Sequence, residues 1–428
     1  MALLSYLECL GCKARYPADR PMQLCPVDGR PVQMKLDFGA AASTAAPDRS
    51  GESGGRARAA WPVVERPDLW RYGALLPLDP ARAEDARCIV PIGGGWTALD
   101  RREASEFAPG PVFDLWIKDE GRAAGPGGGN PTASFKDRGM AMVAAMAVRL
   151  GVRRLVVPTQ GNAGDSLVEY ARAAGLDVAV ILPDDTPTPI LDRVRHAAEV
   201  DAAVRFDLVQ GTIREAGALM RAKYLPDGWF SAATFAEPGW RIEGKKTLGL
   251  EIAEQLGDGR SFVLPDVIVY PTGGGTGILG MWKAFEELME LGWATGTKPR
   301  FVCVQSEATD PLYRAWLFGA IDTTAAEAGS TVAVGLNVPG GVGHFRVLEI
   351  VRASGGCVVA VPEPRIAEWS DRYSDQGIGP EGAACLAALK PLVAAGTIRP
   401  GDRVVVVNTC GPGKYDPRHA GNSISYSA

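Results

Sequence analysis

One lysine stands out because of the residues around it. Lys136 lies in the run NPTASFKDRG at 130–139, a tight polar turn that leads into an apolar stretch from 140 to 150. This pattern predicts a helix that begins near Lys136. Burial and the positive end of a helix dipole both lower the pKa of a lysine, and the neutral amine is a nucleophile. The position therefore predicts Schiff-base chemistry, although a lone lysine at a helix start is more often a solvated surface residue.

A glycine-rich segment follows a predicted strand later in the chain. The apolar run 267–270 precedes PTGGGTGILG at 271–280, and a helical pattern follows. Glycines let backbone N–H groups converge on an anion, and a helix N-terminus adds its dipole. The segment predicts a phosphate cradle formed by Gly273, Gly274, Gly275, Thr276 and Gly277.

Polar turns also follow two other predicted strands. Thr159, Gln160 and Asn162 come after the run 155–158, and Thr409 comes after 404–407. In isolation these residues are typical turn formers. Because an open parallel sheet binds ligands at the carboxyl ends of its strands, they are expected to join Lys136 and the cradle in one site.

Together these segments resemble the threonine synthase family, which consists of pyridoxal-phosphate lyases of fold type II. The resemblance extends from Trp70 to Tyr415 and includes RIEGKKT at 241–247 and PEGAA at 380–384. It implies that pyridoxal 5′-phosphate is the cofactor, that Lys136 carries it and shuttles protons, and that the glycine cradle binds its phosphate. It further implies that Asn162 contacts the phenolic oxygen and Thr409 the pyridine nitrogen.

The resemblance also implies a substrate and a reaction. In the family, O-phospho-L-homoserine and water give L-threonine and phosphate; the loop of Thr159 and Gln160 would bind the amino acid, and Arg241 would bind the leaving phosphate. Lys245 or Lys246 would add a second anion contact. A neutral hydroxyl at the ring nitrogen favours elimination and replacement over transamination. A threonine or serine dehydratase, or a β-replacement amino-acid synthase of the same fold, is the alternative.

Several positions depart from the family pattern. Ala133 stands where glycine is usual, Gln160 where serine is usual, and His344 where aspartate is common. The segment IGGGWTAL at 92–99 lacks the family's glutamate and proline. These differences bear on the substrate more than on the fold.

Two readings from other classes remain open. The run GTGILG at 275–280 matches a dinucleotide fingerprint, and Glu307 stands where a ribose-binding acid would, so an NAD-linked oxidoreductase is one alternative. An oxidoreductase of this kind would give Lys136 and Asn162 no role. The other is a ligand sensor that retains the cradle but has no catalytic activity.

The length and element pattern predict the architecture. The chain has 428 residues, which is more than one hydrophobic core usually serves, and short apolar runs alternate with helical patterns. We expect an α/β fold with two doubly wound, mostly parallel sheet domains and a small zinc-ribbon-like appendage at the N-terminus. The expected boundaries are 1–36 for the ribbon-like segment, 37–62 for a flexible linker, 63–130 with 236–428 for the large cofactor-binding domain, and 131–235 for the small domain.

The N-terminal segment contains a cysteine pattern typical of zinc sites. Cys9, Cys12 and Cys25 have the spacing of two zinc knuckles, with Asp28 in the fourth ligand position. Zinc accepts a carboxylate oxygen, so these four residues form a candidate tetrahedral site. The alternative is a degenerate ribbon that holds no metal.

Charge and hydropathy set expectations about partners. A formal net charge of -5 gives no electrostatic reason to bind nucleic acid or an anionic membrane, so a small amino-acid substrate is expected. The sequence shows neither a signal peptide nor a membrane-spanning stretch, which predicts a cytoplasmic protein. We also expect a homodimer.

Overall fold

The computed structural model describes residues 3–38, 65–110, 112–257 and 261–416. The strands in these ranges are β1 (Leu3–Cys9), β2 (Arg15–Tyr16), β3 (Val32–Asp37), β4 (Ala98–Arg102), β5 (Asp114–Asp119), β6 (Arg154–Pro158), β7 (Asp177–Pro183), β8 (Val204–Val209), β9 (Phe230–Ser231), β10 (Val267–Pro271), β11 (Arg300–Ser306), β12 (Cys357–Val361) and β13 (Arg403–Asn408). The α-helices are α1 (Ala83–Ala86), α2 (Lys136–Arg149), α3 (Asn162–Ala173), α4 (Thr188–Val200), α5 (Ile213–Leu219), α6 (Trp240–Leu256), α7 (Thr276–Glu290), α8 (Pro311–Leu317), α9 (His344–Ala353), α10 (Glu363–Tyr373) and α11 (Pro380–Ala394). Short 3₁₀ or π segments occur at Leu69–Leu75, Ala104–Glu106, Met220–Tyr224, Val334–Leu336, Ser374–Gln376 and Pro412–Lys414.

One mostly parallel and one wholly parallel sheet form the body of the protein. The six-stranded sheet has the order β12-β11-β10-β13-β5-β4, in which only β4 is antiparallel to its neighbour. The four-stranded sheet has the order β8-β7-β6-β9 and is wholly parallel. Central strands such as β10 are buried along their whole length, as expected for a sheet covered by helices on both faces. The predicted α/β class is confirmed. The smaller sheet lies within 131–235, but the domain boundaries themselves stay a prediction.

The N-terminal segment packs directly against this body. Its three strands form an antiparallel sheet in the order β2-β1-β3, and Leu7, Met34 and Phe38 join the main hydrophobic core. The Lys283 ammonium on α7 donates to the Met34 carbonyl oxygen at 2.7 Å. The sequence predicts a ribbon-like segment followed by a flexible linker, and in the structure this segment also contacts the body through its own side chains and backbone. Most of that linker, 39–62, lies outside the described residues.

Backbone contacts at glycines hold α2, α6 and α7 together. A Cβ at Gly244 on α6 would collide with the carbonyl oxygen of Arg138 on α2 and lie 3.1 Å from the Gly139 Cα. A Cβ at Gly249 would lie 3.0 Å from the Met281 Cα on α7, and one at Gly280 would lie 2.7 Å from the Lys245 carbonyl carbon. The three helix backbones therefore approach more closely than side chains would allow.

A buried ionic cluster supports the contact between α2 and α6. Arg138 reaches Glu120 at 2.7 Å and Glu251 at 2.6 Å, and Lys118 reaches Glu251 at 2.9 Å, with no exposure of any of the four side chains. Burial alone would raise the pKa of Glu251, but Arg138 and Lys118 hold it at about 2. Two cations and two carboxylates thus tie both helices to the end of β5.

No described helix has both the length and the apolar composition of a membrane span.

We predict that Gly244→Ala destabilises the protein by about 3 kcal/mol, because the added methyl group overpacks a backbone contact. Gly217→Ala on α5 is the matched control, since its Cβ would meet only the flexible end of Arg221 at 3.4 Å. We expect that variant to gain up to about 1 kcal/mol from helix propensity. Denaturant unfolding of both variants measures the difference, and equal stabilities would contradict close packing of α2 against α6.

Candidate active site

A cavity of about 360 Å³ opens at the carboxyl ends of β6, β10 and β13. Most of the residues that the sequence predicted for cofactor and substrate line it: Lys136, Thr159, Gln160, Asn162, Arg241, Gly273, Gly274, Gly275, Thr276, Gly277 and Thr409. Lys245 and Lys246, the two candidates for a second anion contact, do not line it. The structure thus brings together segments that are far apart in the chain. The individual roles of these residues stay predictions.

Several of the described helices begin at this cavity. Lys136, Asn162 and Thr276 are the first residues of α2, α3 and α7. Arg241 and Glu381 are the second residues of α6 and α11. Helix N-termini carry partial positive charge and unpaired N–H groups. Their convergence makes the cavity favourable for an anionic ligand.

Lys136 has the properties of a nucleophilic amine. Its ammonium lies 4.6 Å from the centroid of the Phe135 ring. Burial, assisted by the charge of Arg241 and opposed by Glu381, lowers the pKa of Lys136 to about 8. A substantial fraction of the neutral amine is therefore present just above neutral pH.

Ala133, three residues before Lys136, has a φ of +52°. This left-handed conformation favours glycine, because a Cβ crowds the following carbonyl group. The departure at this position therefore leaves strain in the turn that presents Lys136.

The glycine cradle is free of side chains for steric reasons. Gly275 has a φ of +82°, and a Cβ at Gly273 would collide with the Gly335 carbonyl oxygen. His344 is buried, which lowers its pKa, and the neutral ring lies with Nε2 3.0 Å from the Gly273 carbonyl oxygen. Because the C=O and N–H groups of a trans peptide point in opposite directions, this contact directs the Gly274 N–H away from His344. The histidine that departs from the family pattern braces the cradle.

The Asn162 amide is only half satisfied. Its Nδ2 donates to the Tyr415 hydroxyl at 2.9 Å, while its Oδ1 is buried with no partner among the described residues. Because a hydroxyl group both donates and accepts, the Tyr415 hydroxyl can contact either end of the amide and leave the other end for a ligand. Thr409 lines the same cavity.

These observations fit pyridoxal phosphate. The cradle suits its phosphate, the Asn162 amide lacks one polar partner among the residues that the structure describes, and the pKa of Lys136 is close to neutral pH. When bound, the cofactor supplies an electron sink for negative charge on the carbon next to an amino group.

Thr159 and Gln160 both have partners within the protein. The Thr159 hydroxyl accepts from the Gly161 N–H at 3.1 Å, and the Gln160 amide nitrogen lies 3.2 Å from the Asp185 carboxylate. Their substrate-binding roles stay predictions.

Arg241 is a buried cation without a close carboxylate partner among the described residues. Its guanidinium donates to Thr234 Oγ1 at 3.1 Å and to the Ala232 carbonyl oxygen, and its Nε has no partner within the described parts of the chain. Burial, opposed by Glu237, lowers the pKa of Arg241 to about 10, so the side chain is still charged at neutral pH.

Sequence reasoning missed two features of the site. The first is the position of Lys245, which was named only as a substrate contact. Lys245 follows Arg241 by four residues, so the two side chains lie on one face of α6. Tyr415 carries no local pattern that predicts its contact with Asn162. Lys246, by contrast, is neutralised by Glu243 at 2.7 Å and Glu287 at 2.9 Å.

Comparison with known proteins agrees with this site. The chain belongs to the pyridoxal-phosphate dependent enzyme family, whose model matches residues 90–409. It is 30% identical to a threonine synthase of Methanosarcina acetivorans over 94% of this chain and 91% of that protein. A second threonine synthase, from Methanocaldococcus jannaschii, is 29% identical over 82% of this chain and 81% of that protein.

Solved structures share the fold. Maize serine racemase superposes with a TM-score of 0.58 at 18% identity, covering 74% of this chain and 88% of its own. Diaminopropionate ammonia lyase of Escherichia coli superposes with a TM-score of 0.59 at 18% identity, and the match covers 79% of this chain and 90% of that chain. The protein is thus a pyridoxal-phosphate dependent lyase of fold type II, as predicted.

The four candidate metal ligands come together in the N-terminal sheet. The ligand atoms of Cys9, Cys12, Cys25 and Asp28 lie within 4.8 Å of one another. The Cys12 and Cys25 sulfurs are 3.7 Å apart, and Cys9 Sγ is 3.3 Å from Asp28 Oδ1. Ligands of a tetrahedral zinc lie about 3.5–3.8 Å apart, which the Cys12–Cys25 pair matches. The zinc site stays a prediction.

We predict that the purified protein is yellow and that borohydride bleaches it by fixing the cofactor on Lys136. Capture of the cofactor by apoprotein should accelerate about tenfold from pH 6 to pH 7 and level off above pH 8, because the neutral amine reacts. Stopped-flow absorbance measures the rate of capture, and peptide mapping identifies the lysine that carries the reduced cofactor. Lys136→Ala should abolish capture, whereas Lys298→Ala, which alters an exposed ion pair with Glu286, should not. Mapping of the adduct to another lysine would contradict the assignment.

We also predict one zinc ion per chain, measured by mass spectrometry of the metal content. Cys12→Ser should lower that content severalfold, because thiolate ligands bind zinc more strongly than a hydroxyl group does. Cys357→Ser, which lies outside the cluster, should leave it unchanged. Protein prepared without chelators that contains no zinc would favour a degenerate ribbon.

Proposed function

We propose that the protein converts O-phospho-L-homoserine and water to L-threonine and phosphate. The observation that carries this proposal is Arg241, a buried cation on the cavity wall without a close carboxylate partner among the described residues. A substrate with a phosphate group in addition to its carboxylate would provide the missing anion. The threonine synthases among the relatives support the same reaction.

Each part of the cavity would have a distinct task. The N-terminus of α3, which begins at Asn162, would bind the substrate carboxylate. The Lys136 amine would remove and return protons at the substrate's α- and β-carbons. Arg241 would hold the leaving phosphate, and the Thr409 hydroxyl would meet the ring nitrogen.

The second candidate is a threonine or serine dehydratase, or a β-replacement synthase of the same fold. Such an enzyme needs the same ring contacts but no second anion site. The Gln160 amide favours this alternative, because it is directed to Asp185 and provides no charge for a phosphate.

Neither alternative from another class gains support. Family membership speaks against an NAD-linked oxidoreductase, and Glu307 is exposed and does not line the cavity. A non-catalytic sensor would bind the cofactor without turnover. A homodimer and a cytoplasmic location remain part of this proposal, and sedimentation analysis of the holoenzyme tests the first.

We predict that Arg241→Ala lowers kcat/KM for O-phospho-L-homoserine by about 10- to 100-fold, because it removes charge-assisted hydrogen bonds to the phosphate. Turnover of threonine and serine should change far less. Phosphate release and keto-acid formation, followed side by side on the three substrates, measure this difference. The control is Arg365→Ala, which removes a partly exposed ion pair with Glu368 and should leave all rates unchanged.

Efficient deamination of threonine or serine, with no phosphate released from O-phospho-L-homoserine, would replace the proposal with the dehydratase alternative. Absence of turnover on every substrate by a yellow holoenzyme would favour the sensor.

A further inference from the structure

Lys245 differs from the other buried lysines of the described chain. Lys118, Lys246, Lys283 and Lys414 each contact a buried carboxylate. Lys245 is 1% exposed and has no carboxylate within ion-pair distance among the described residues. Its ammonium instead donates to the hydroxyl oxygen of Thr276 and lies 4.3 Å from the centroid of the Phe135 ring.

An uncompensated buried ammonium is costly for the folded protein. Burial and the nearby charges of Lys136 and Arg241, opposed by Glu237, lower the pKa of Lys245 well below its ordinary value. Hydrophobic residues of similar length would fill the same space without this cost. The presence of a lysine here therefore calls for an anion that enters the site.

The position of Thr276 indicates which anion. Thr276 is the first residue of α7, lines the cavity, and belongs to the glycine cradle. An ammonium group only donates hydrogen bonds, so the Thr276 oxygen must accept from Lys245. The Thr276 proton is then free to be donated to a group on the cradle.

We infer that Lys245 is a positioning residue for the phosphate of the ligand on the glycine cradle, acting through the Thr276 hydroxyl and by its charge. The inference rests on the cofactor site described above and adds a residue to it. It does not depend on which amino acid is the substrate.

The charge of Lys245 should follow occupancy of the cradle. Without an anion, burial and two neighbouring cations disfavour the protonated form. A phosphate dianion favours it, so binding should be accompanied by proton uptake. Titration calorimetry of the apoprotein in two buffers of different ionisation enthalpy measures this uptake.

The decisive experiment compares a ligand with and without its phosphate, and the protein with and without the charge of Lys245. Apoprotein of the wild type, Lys245→Met, Lys245→Gln and Thr276→Val is titrated with pyridoxal 5′-phosphate and with pyridoxal. We expect Lys245→Met to bind pyridoxal 5′-phosphate about 10- to 100-fold more weakly and pyridoxal with little change. Lys245→Gln, which retains a hydrogen-bond donor for Thr276, should lose less affinity for pyridoxal 5′-phosphate than Lys245→Met does. Thr276→Val should, like Lys245→Met, weaken binding of pyridoxal 5′-phosphate more than binding of pyridoxal. Lys298→Met, at an exposed ion pair, is the matched lysine control.

A stability measurement separates positioning from a structural role. The Lys245→Met apoprotein should be at least as stable to heat as the wild type, because a buried amine without a carboxylate partner is replaced by an apolar side chain. Its proton uptake on binding pyridoxal 5′-phosphate should be lost. The inference would be overturned if Lys245→Met bound both ligands equally more weakly and also had a lower melting temperature than the wild type. Wild-type apoprotein that binds neither aldehyde would overturn the inference and the cofactor site as well. Retained phosphate selectivity with no turnover of O-phospho-L-homoserine would support this inference and count against the proposed function alone.

Discussion

The backbone contact among α2, α6 and α7 is the constraint on which the rest of the site depends. Gly139, Gly244 and Gly280 lie one turn after Lys136, Arg241 and Thr276, respectively. Because a Cβ at Gly244 would strike the opposing backbone, the helices meet at these glycines. The three cavity-lining side chains therefore lie one helical turn before the contact, towards the N-terminus of each helix. The buried cluster around Arg138 then holds α2 and α6 in that arrangement through charge pairs that no solvent screens.

The cavity above this contact is built to receive negative charge. It combines the N-termini of several helices with Lys136 and Arg241, and Lys245 lies directly behind it. Such an arrangement is unfavourable in the empty protein, because like charges are buried close together. An anionic ligand would offset part of that cost, so a site of this kind gains affinity for anions at the expense of the stability of the fold without them.

The N-terminal segment contacts residues that support the glycine cradle. The Arg30 guanidinium, next to the candidate metal cluster, contacts Asp322 at 2.6 Å, and its carbon lies 4.5 Å from the centroid of the Phe345 ring. The adjacent His344 contacts Thr323 on one side and the cradle carbonyl on the other. The docked sheet is therefore continuous with the support of the glycine cradle rather than a separate module.

The sequence by itself indicated the α/β class of this protein, most of its strands after Lys136 and its cofactor. Strand and helix periods, the lysine turn and the glycine run are local patterns, and such patterns arise from the backbone geometry of a few neighbouring residues. Only the tertiary structure decided which cations are neutralised. Lys245 and Lys246 are adjacent in the sequence, yet one faces Thr276 and the other faces two carboxylates, because consecutive helix residues point in different directions. The docking of the N-terminal sheet was equally beyond reach, since Met34 and Lys283 are 249 residues apart and share no local signal.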